Sequence, residues 1–156
     1  MPEFIHVRTE KEYNTAASLF REYAAWLNID LSFQKFTEEL QDLQKMYAPP
    51  EGGIILSKNE QLFSGCIAIR KIDEVIAELK RMYVKPVFQH RGIGTGLLNE
   101  AILLAEKYGY KKIRLDTLSN MMTAISLYKQ NGFYEIQPYY FNPENTAVYF
   151  EKILKT

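Results

Sequence analysis

Apolar and polar positions alternate along this chain with two different periods, and the places where the period changes mark its elements. Phe4–Val7 is a short apolar run and reads as a first strand. Thr9-x-x-Glu12 is a capping-box pattern, and behind it Tyr13, Ala16, Ala17, Phe20, Tyr23, Ala24 and Leu27 recur at helical spacing. Phe33, Phe36, Leu40, Leu43, Met46 and Tyr47 predict a second helix, stopped by Pro49-Pro50. Gly52-Gly53 turns the chain into a strand over Ile54–Ser57. Lys58-Asn59-Glu60 reads as a hairpin turn, and Leu62–Ile69 as its partner. After a polar turn at Lys71–Glu74 comes a strand that is apolar at Val75, Ala77 and Leu79 and then at Met82 and Val84. The alternation changes parity near Lys80-Arg81, which is what a β-bulge produces.

Pro86 ends that strand, because proline has no N–H to give a ladder. Gly92, Gly94 and Gly96 follow at every second position. From Leu97 the spacing of Leu98, Ala101, Ile102, Leu104, Ala105 and Tyr108 is helical, with Gly109 suited to the left-handed closing position. Lys112–Thr117 alternates as a strand. Ser119 or Asn120 is placed to cap a helix running to Asn131 and closed by Gly132. Phe133–Ile136 and Ala147–Ile153 read as two final strands around an aromatic loop, Tyr139–Asn145. The predicted order is β-α-α-β-β-β-α-β-α-β-β. That is a mixed sheet with flanking helices, in the α/β or α+β class.

Composition adds mainly exclusions. At 156 residues the chain is the length of one domain, and 47% hydrophobic with 24% charged residues is ordinary for a globular protein. Lys+Arg and Asp+Glu balance at 19 each, so net charge gives no support for a nucleic-acid or membrane partner. The lone Cys66 permits no internal disulfide and reads as a buried filler in an apolar strand. No apolar run reaches membrane-spanning length, and the N-terminus lacks a long apolar signal segment. A cytoplasmic location is the expectation, and no metal site is expected.

The chemistry concentrates where the bulged strand, the glycine loop and the following helix meet. Glycines at a helix start leave bare N–H groups beside the positive end of the helix dipole, an arrangement suited to phosphate. A dinucleotide fingerprint fits poorly, since Leu97 stands where the third glycine belongs, and no P-loop lysine follows. The pattern [RQ]-x-x-G-x-G/A does fit, as Gln89-His90-Arg91-Gly92-Ile93-Gly94. Further on, Asn120-Met121-Met122-Thr123-Ala124-Ile125-Ser126-Leu127-Tyr128-Lys129-Gln130-Asn131-Gly132-Phe133 resembles an N-x-x-A-x-x-L-Y-x-x-x-G-F segment. On these two ordered motifs the sequence resembles the GNAT superfamily of acyl-CoA-dependent N-acetyltransferases, over essentially the whole chain.

The resemblance implies a single N-acetyltransferase domain over 1–156 that uses acetyl-CoA as co-substrate, in a mostly antiparallel GNAT-like sheet. The cofactor would contact Met82, Tyr83 and Val84 on the bulged strand and Gln89, His90, Arg91, Gly92, Ile93, Gly94 and Thr95 in the loop. Asn120 would bond the pantetheine arm and Tyr128 would meet the thiol end. Two catalytic roles are implied. Tyr128 would protonate the departing CoA sulfur, a transfer from a phenol of pKa about 10 to a thiolate of thiol pKa about 8.5. Glu78, or an ordered water, would accept the amine proton, with Asp116 and Glu135 as further candidates. Each residue also has a plain structural reading: Tyr128 in the core, Asn120 as a helix cap, His90 as a solvated loop residue, and Glu78 as a surface carboxylate paired with Lys80 or Arg81. The aromatic segments Trp26–Phe33 and Tyr139–Asn142 would wall an acceptor pocket for a small-molecule or peptide amine, with no nucleic acid or membrane involved. Homodimer formation is left open. The alternative is a non-catalytic CoA- or acyl-CoA-binding sensor, marked by binding without turnover.

Overall fold

The structure is a computed structural model and describes residues 1–28, 30–31 and 35–155. The chain runs β1 (Glu3–His6), α1 (Glu10–Leu27), α2 (Phe36–Gln41), α3 (Leu43–Met46), β2 (Gly53–Asn59), β3 (Leu62–Lys71), β4 (Ile76–Val84), a 3-10 turn (Pro86–Phe88), α4 (Ile93–Lys107), β5 (Lys112–Leu118), α5 (Met122–Gln130), β6 (Tyr134–Ile136) and β7 (Ala147–Ile153). The strands form a seven-stranded sheet in the order β1-β2-β3-β4-β5-β7-β6. Its pairings are antiparallel except β4 with β5, which is parallel. This is the mixed, mostly antiparallel architecture expected from the sequence.

The caps and turns follow the residues that specify them. Thr9 and Glu12 form the capping box at the start of α1, with Glu12 N–H donating to Thr9 Oγ1 at 3.2 Å. Gly109 and Gly132 take positive φ at the ends of α4 and α5. Three expectations are corrected. The second predicted helix is broken at Asp42 (φ −143°) into α2 and α3, and Phe33 lies outside the described residues. The hairpin turn sits later than expected: β2 continues through Asn59, and Glu60 takes the left-handed conformation (φ 57°). Neither Ser119 nor Asn120 caps α5; Met121 occupies that position without a side-chain hydrogen bond. Counting back from Ala124, the first position of the N-x-x-A motif also falls on Met121, so Asn120 is one residue out of register.

Each sheet face carries its own core. Helix α4 buries Ile93, Leu97, Leu98, Ala101 and Ala105 against Ile67, Ile69, Ala77, Leu79 and Ile113 on one face. Helix α1 buries Ala16, Leu19 and Phe20 with Tyr47 against Ile54, Leu56, Cys66 and Ala68 on the other. Alternation along β4 thus sends Ala77 and Leu79 toward α4, and Glu78 and Lys80 toward the α1 side.

Two irregularities in β4 shape what lies beside it. Across β3, Ala68 is opposite Lys80 and Cys66 is opposite Tyr83, so β4 uses one extra residue at the place where the sequence changes parity. Arg81 absorbs it with φ 59°, a conformation that costs a non-glycine residue about 1–2 kcal/mol. Two buried contacts offset that cost. Arg81 Nε and Nη2 donate to Glu39 Oε2 and Oε1 at 3.0 and 2.7 Å, and the Arg81 carbonyl accepts from Cys66 Sγ at 3.2 Å. The second irregularity is a divergence. β4 pairs with β5 over Ile76–Glu78 and Lys112–Arg114, and then the strands part. From Leu79 to Val84 the edge of β4 that faces β5 has no ladder, and a cleft opens there.

Candidate active site

The cleft is a cavity of ≈ 80 Å³ bordered by Leu79–Met82 of β4, Asp116–Leu118 of β5, and Met121, Ala124 and Tyr128 at and in α5. Tyr23 and Leu27 of α1, Leu31 after it, and Asn142 and Glu144 of the β6–β7 connection complete it. Because it passes between diverging strands, it is reached by side chains from both faces. Tyr128 belongs to the core on the α4 face, while Asp116 alternates with buried Leu115 and points the other way.

Of the expected cofactor-binding residues, Met82 and Tyr128 border this cleft, and Tyr83, Val84 and the glycine loop follow Met82 along the chain. Past the bulge, Met82 and Val84 pack against the α4 core, and Gln89 Nε2 donates to the Val84 carbonyl at 3.1 Å, tying loop to strand. His90 (φ 66°) and Gly92 (φ 80°) bend the backbone into the first turn of α4. Among the described hydrogen bonds none uses a backbone N–H from His90 to Thr95; the first donor after the loop is Gly96, to the Gly92 carbonyl at 3.1 Å. Six consecutive N–H groups therefore stand at the positive end of a 15-residue helix. A methyl group on Gly92 would meet nothing within 4 Å, and one on Gly94 nothing nearer than 3.7 Å, so this surface is open. Gly96 is different: a methyl there would run into the ring of Phe4. It serves packing between β1 and α4. Arg91 is exposed and lies 5.5 Å over the Phe88 ring. Asn120 is exposed and does not border the cleft, whereas Met121 does.

Tyr128 and Glu78, the two sequence-derived catalytic candidates, occupy contrasting environments. The Tyr128 hydroxyl points at Met82 Sδ, 3.8 Å away, a weak acceptor that leaves the oxygen available. Burial pushes its pKa up, so it stays protonated through the neutral range. Glu78 is buried rather than at the surface, and of its two expected partners it pairs with Lys80 but not with Arg81. Arg81 is taken by Glu39, while Glu78 Oε1 accepts from Arg70 Nε at 2.8 Å and Oε2 accepts from the Tyr139 hydroxyl at 2.7 Å. Lys80 Nζ is 3.9 Å from Oε1. Burial raises the Glu78 pKa, but the nearby Lys80 and Arg70 charges and the Tyr139 hydrogen bond outweigh it and hold the carboxyl below its ordinary value. Glu78 borders a second, larger cavity of ≈ 640 Å³ on the α2 side, with Lys35, Glu38 and Asp42 across from Arg70 and Tyr139. Lys80 borders both cavities, and Glu135 borders neither.

Sequence reasoning missed the side chains that organise this region. Glu39, with Tyr47 donating to it at 2.9 Å, anchors the bulge. Its signal was a carboxylate on the apolar face of a helix, between Phe36 and Leu40–Leu43 at three- and four-residue spacing. Asp116 also borders the cleft. Asn142 Nδ2 lies 3.5 Å from Asp116 Oδ2, Tyr140 hydrogen-bonds to the carboxyl, and burial raises its pKa. Of the two aromatic segments, Tyr139–Asn142 lines the cavities and reaches both carboxylates, and the Trp26 ring lies tilted against Tyr83 with centroids 5.9 Å apart.

Comparison with known proteins places this geometry in a family. The model described as "Acetyltransferase (GNAT) family" matches residues 16–133. An uncharacterized N-acetyltransferase of Schizosaccharomyces pombe is 34% identical over 145 residues, covering 92% of this chain and 89% of that protein. A solved acetyltransferase of Streptococcus agalactiae has a TM-score of 0.81 over 98% of both chains at 20% identity. The PaiA N-acetyltransferase of Thermoplasma acidophilum, solved in complex with coenzyme A, has a TM-score of 0.77 over 98% of this chain and 99% of that one, at 22% identity. The two structures share the fold.

Proposed function

Since the chain belongs to the GNAT acetyltransferase family and is an acyltransferase of that type, we propose that it transfers the acetyl group of acetyl-CoA to a primary amine by direct attack in a ternary complex. The observation that carries this reading is the row of six unengaged N–H groups at His90–Thr95, at a helix N-terminus with open Gly92 and Gly94 beside it. Such a row matches the pyrophosphate of coenzyme A in charge and in hydrogen-bond capacity. The unpaired edge of β4 from Leu79 to Val84 continues from it, and an extended arm carrying amides adds to such an edge as a strand would. These fits support Met82, Tyr83, Val84 and the Gln89–Thr95 loop as the cofactor-binding residues. The complex of the Thermoplasma relative with coenzyme A points the same way.

Acetyl-CoA supplies an activated acetyl group as a thioester; the chain's residues orient it and manage charge and protons. Backbone N–H groups near Tyr83 and Val84 are the candidates to hold the developing oxyanion. Tyr128, protonated and weakly engaged, gives its hydroxyl proton to the leaving sulfur. Much of the acceleration comes from holding amine and thioester together in the cleft. The amine's proton also needs an acceptor, a deprotonated carboxylate or an ordered water; Glu78 and Asp116 are the buried carboxylates nearby, and Glu144, which accepts from Thr146, stands at the rim.

A thermal-shift titration with acetyl-CoA, CoA and NAD side by side tests the donor site. Ligand at about a hundred times Kd adds roughly 2.7 kcal/mol, which is about 5–10 °C in Tm for a domain of this size. Shifts with both CoA species and none with NAD are expected. A folded sample that responds to neither CoA species would remove the donor site and the transferase reading with it.

A further inference from the structure

We infer that Asp116, and not Glu78, is the carboxylate that takes the proton from the attacking amine. This rests on the transferase reading above and assigns a residue within it. Three observations separate the two carboxylates. Asp116 borders the same cleft as Tyr128 and the bulge, whereas Glu78 borders the cavity on the α2 side. Both oxygens of Glu78 are committed at short range, to Arg70 at 2.8 Å and Tyr139 at 2.7 Å. Asp116 is met by neutral groups, the Tyr140 hydroxyl and, at 3.5 Å, the side-chain amide of Asn142. A carboxylate paired at short range with a guanidinium is a weak base, and a buried one hydrogen-bonded by neutral groups is a stronger one.

The groups around Asp116 are consistent with that task. Lys80 and Arg81 on β4 favour its charged form, Glu78 on the same strand opposes it, and Tyr140 donates a hydrogen bond from the β6–β7 connection. Tyr149 stands opposite it across the β5–β7 ladder, Tyr128 faces the cleft from α5 and Tyr23 from α1. Burial is the largest influence and lifts the carboxyl above its ordinary value.

The proton balance fixes when Asp116 acts. Taking a proton from a free alkylammonium would be uphill by roughly a millionfold in equilibrium, given ordinary pKa values of about 10.4 and 3.9. The neutral amine attacks first: its lone pair forms the C–N bond as the thioester C=O opens to an oxyanion. The nitrogen is then a much stronger acid, and its proton passes to Asp116. As the oxyanion recloses, the C–S bond breaks and the sulfur takes the Tyr128 hydroxyl proton. Asp116 releases its proton to water and Tyr128 regains one, so the amide and CoA thiol leave a reset site.

The test uses acetyl-CoA and methoxyamine, a small nucleophile whose nitrogen stays uncharged down to mildly acidic pH, so that the enzyme's own titration is visible. Thiol release is followed against pH with the uncatalysed rate subtracted. The wild type is expected to lose activity as pH falls through the Asp116 pKa. Asp116→Asn should lower the rate roughly a hundredfold or more and abolish that acid limb. Asp116→Glu, which keeps the carboxylate, should restore the limb at reduced rate, a rescue that a purely structural role would not give. Glu78→Gln should keep the limb. The assignment is overturned if Asp116→Asn keeps the limb or if Glu78→Gln removes it. Acetyl-CoA thermal shifts on the same samples keep the two ideas apart. A missing shift in the wild type counts against the donor site, while an intact shift with an unmoved limb counts against Asp116.

Discussion

Two regions beside β4 are built on opposite principles. The proposed donor side is made of contiguous backbone: the end of β4, the loop and the first turn of α4, residues 82–95, where among the described hydrogen bonds none uses the N–H groups of residues 90–95. The proposed acceptor side, which reaches from the cleft into the larger cavity on the α2 side, is made of side chains from separate elements: Glu39 on α2, Arg70 on β3, Glu78 and Lys80 on β4, Asp116 on β5 and Tyr139 before β7, much of it joined by ion pairs and hydrogen bonds. A ligand held by backbone tolerates change in the side chains around it, provided the turn geometry survives. A pocket held by interlocked charges does not, because removing one partner leaves another buried and uncompensated. The two sides meet at Arg81, whose backbone makes the bulge and whose side chain is clamped from α2.

The largest expected effect is therefore at that junction. Glu39→Ala leaves the Arg81 guanidinium buried without its carboxylate and the Tyr47 hydroxyl without its acceptor. Breaking a buried pair from one side costs about 3–5 kcal/mol, or ~6–20 °C in Tm for a domain of this size. Thermal unfolding decides it, and a shift under a few degrees would mean that the clamp is dispensable. Next comes Tyr128→Phe. Among the described hydrogen bonds its hydroxyl has a single sulfur contact to lose, so Tm should hold while kcat falls by about a hundredfold with acetyl-CoA affinity unchanged. Unaltered turnover across the pH range would take Tyr128 out of the reaction.

The same contrast explains what was legible in the sequence. The bulge announced itself as a parity change at Lys80-Arg81, and the loop as Gln89–Gly94, because both are made by neighbouring residues whose conformational needs show in their spacing. The strands and the two long helices were readable for the same reason. The acceptor side was not. Nothing in the spacing from Glu39 to Arg81, or from Glu78 to Tyr139, says that they touch, since those contacts depend on which strands are adjacent and how far β4 and β5 stay paired. Glu78 was legible as a carboxylate on the bulged strand, but its partners Arg70 and Tyr139 were set by the β3–β4 register and the path of the last loop. The cap of α5 failed differently: a polar residue in the right neighbourhood attracted the assignment, and Met121 holds the position instead.

The smallest effect separates two glycines that the motif presents as equivalents. Gly94 and Gly96 both lie in the first turn of α4, so Ala at either gains the same helix preference of about 1 kcal/mol. That shared gain cancels in the difference between the two variants. What remains is the space each methyl group meets. At Gly94 the nearest atoms, on Leu127, Met82 and Val84, stand at 3.7–3.9 Å, which is ordinary contact. At Gly96 three atoms of the Phe4 ring are in the way, and β1 must give ground on α4. Overpacking of that kind costs about 1–3 kcal/mol, so Gly94→Ala should unfold at a temperature ~2–12 °C above Gly96→Ala. Gly96→Ala, far from the unengaged N–H row in its side-chain direction, should still respond to acetyl-CoA with the wild-type shift. Equal Tm values would mean that Phe4 yields without cost. A lost acetyl-CoA response in Gly96→Ala would make both glycines part of the donor site, and the division between a packing glycine and a binding glycine would fail.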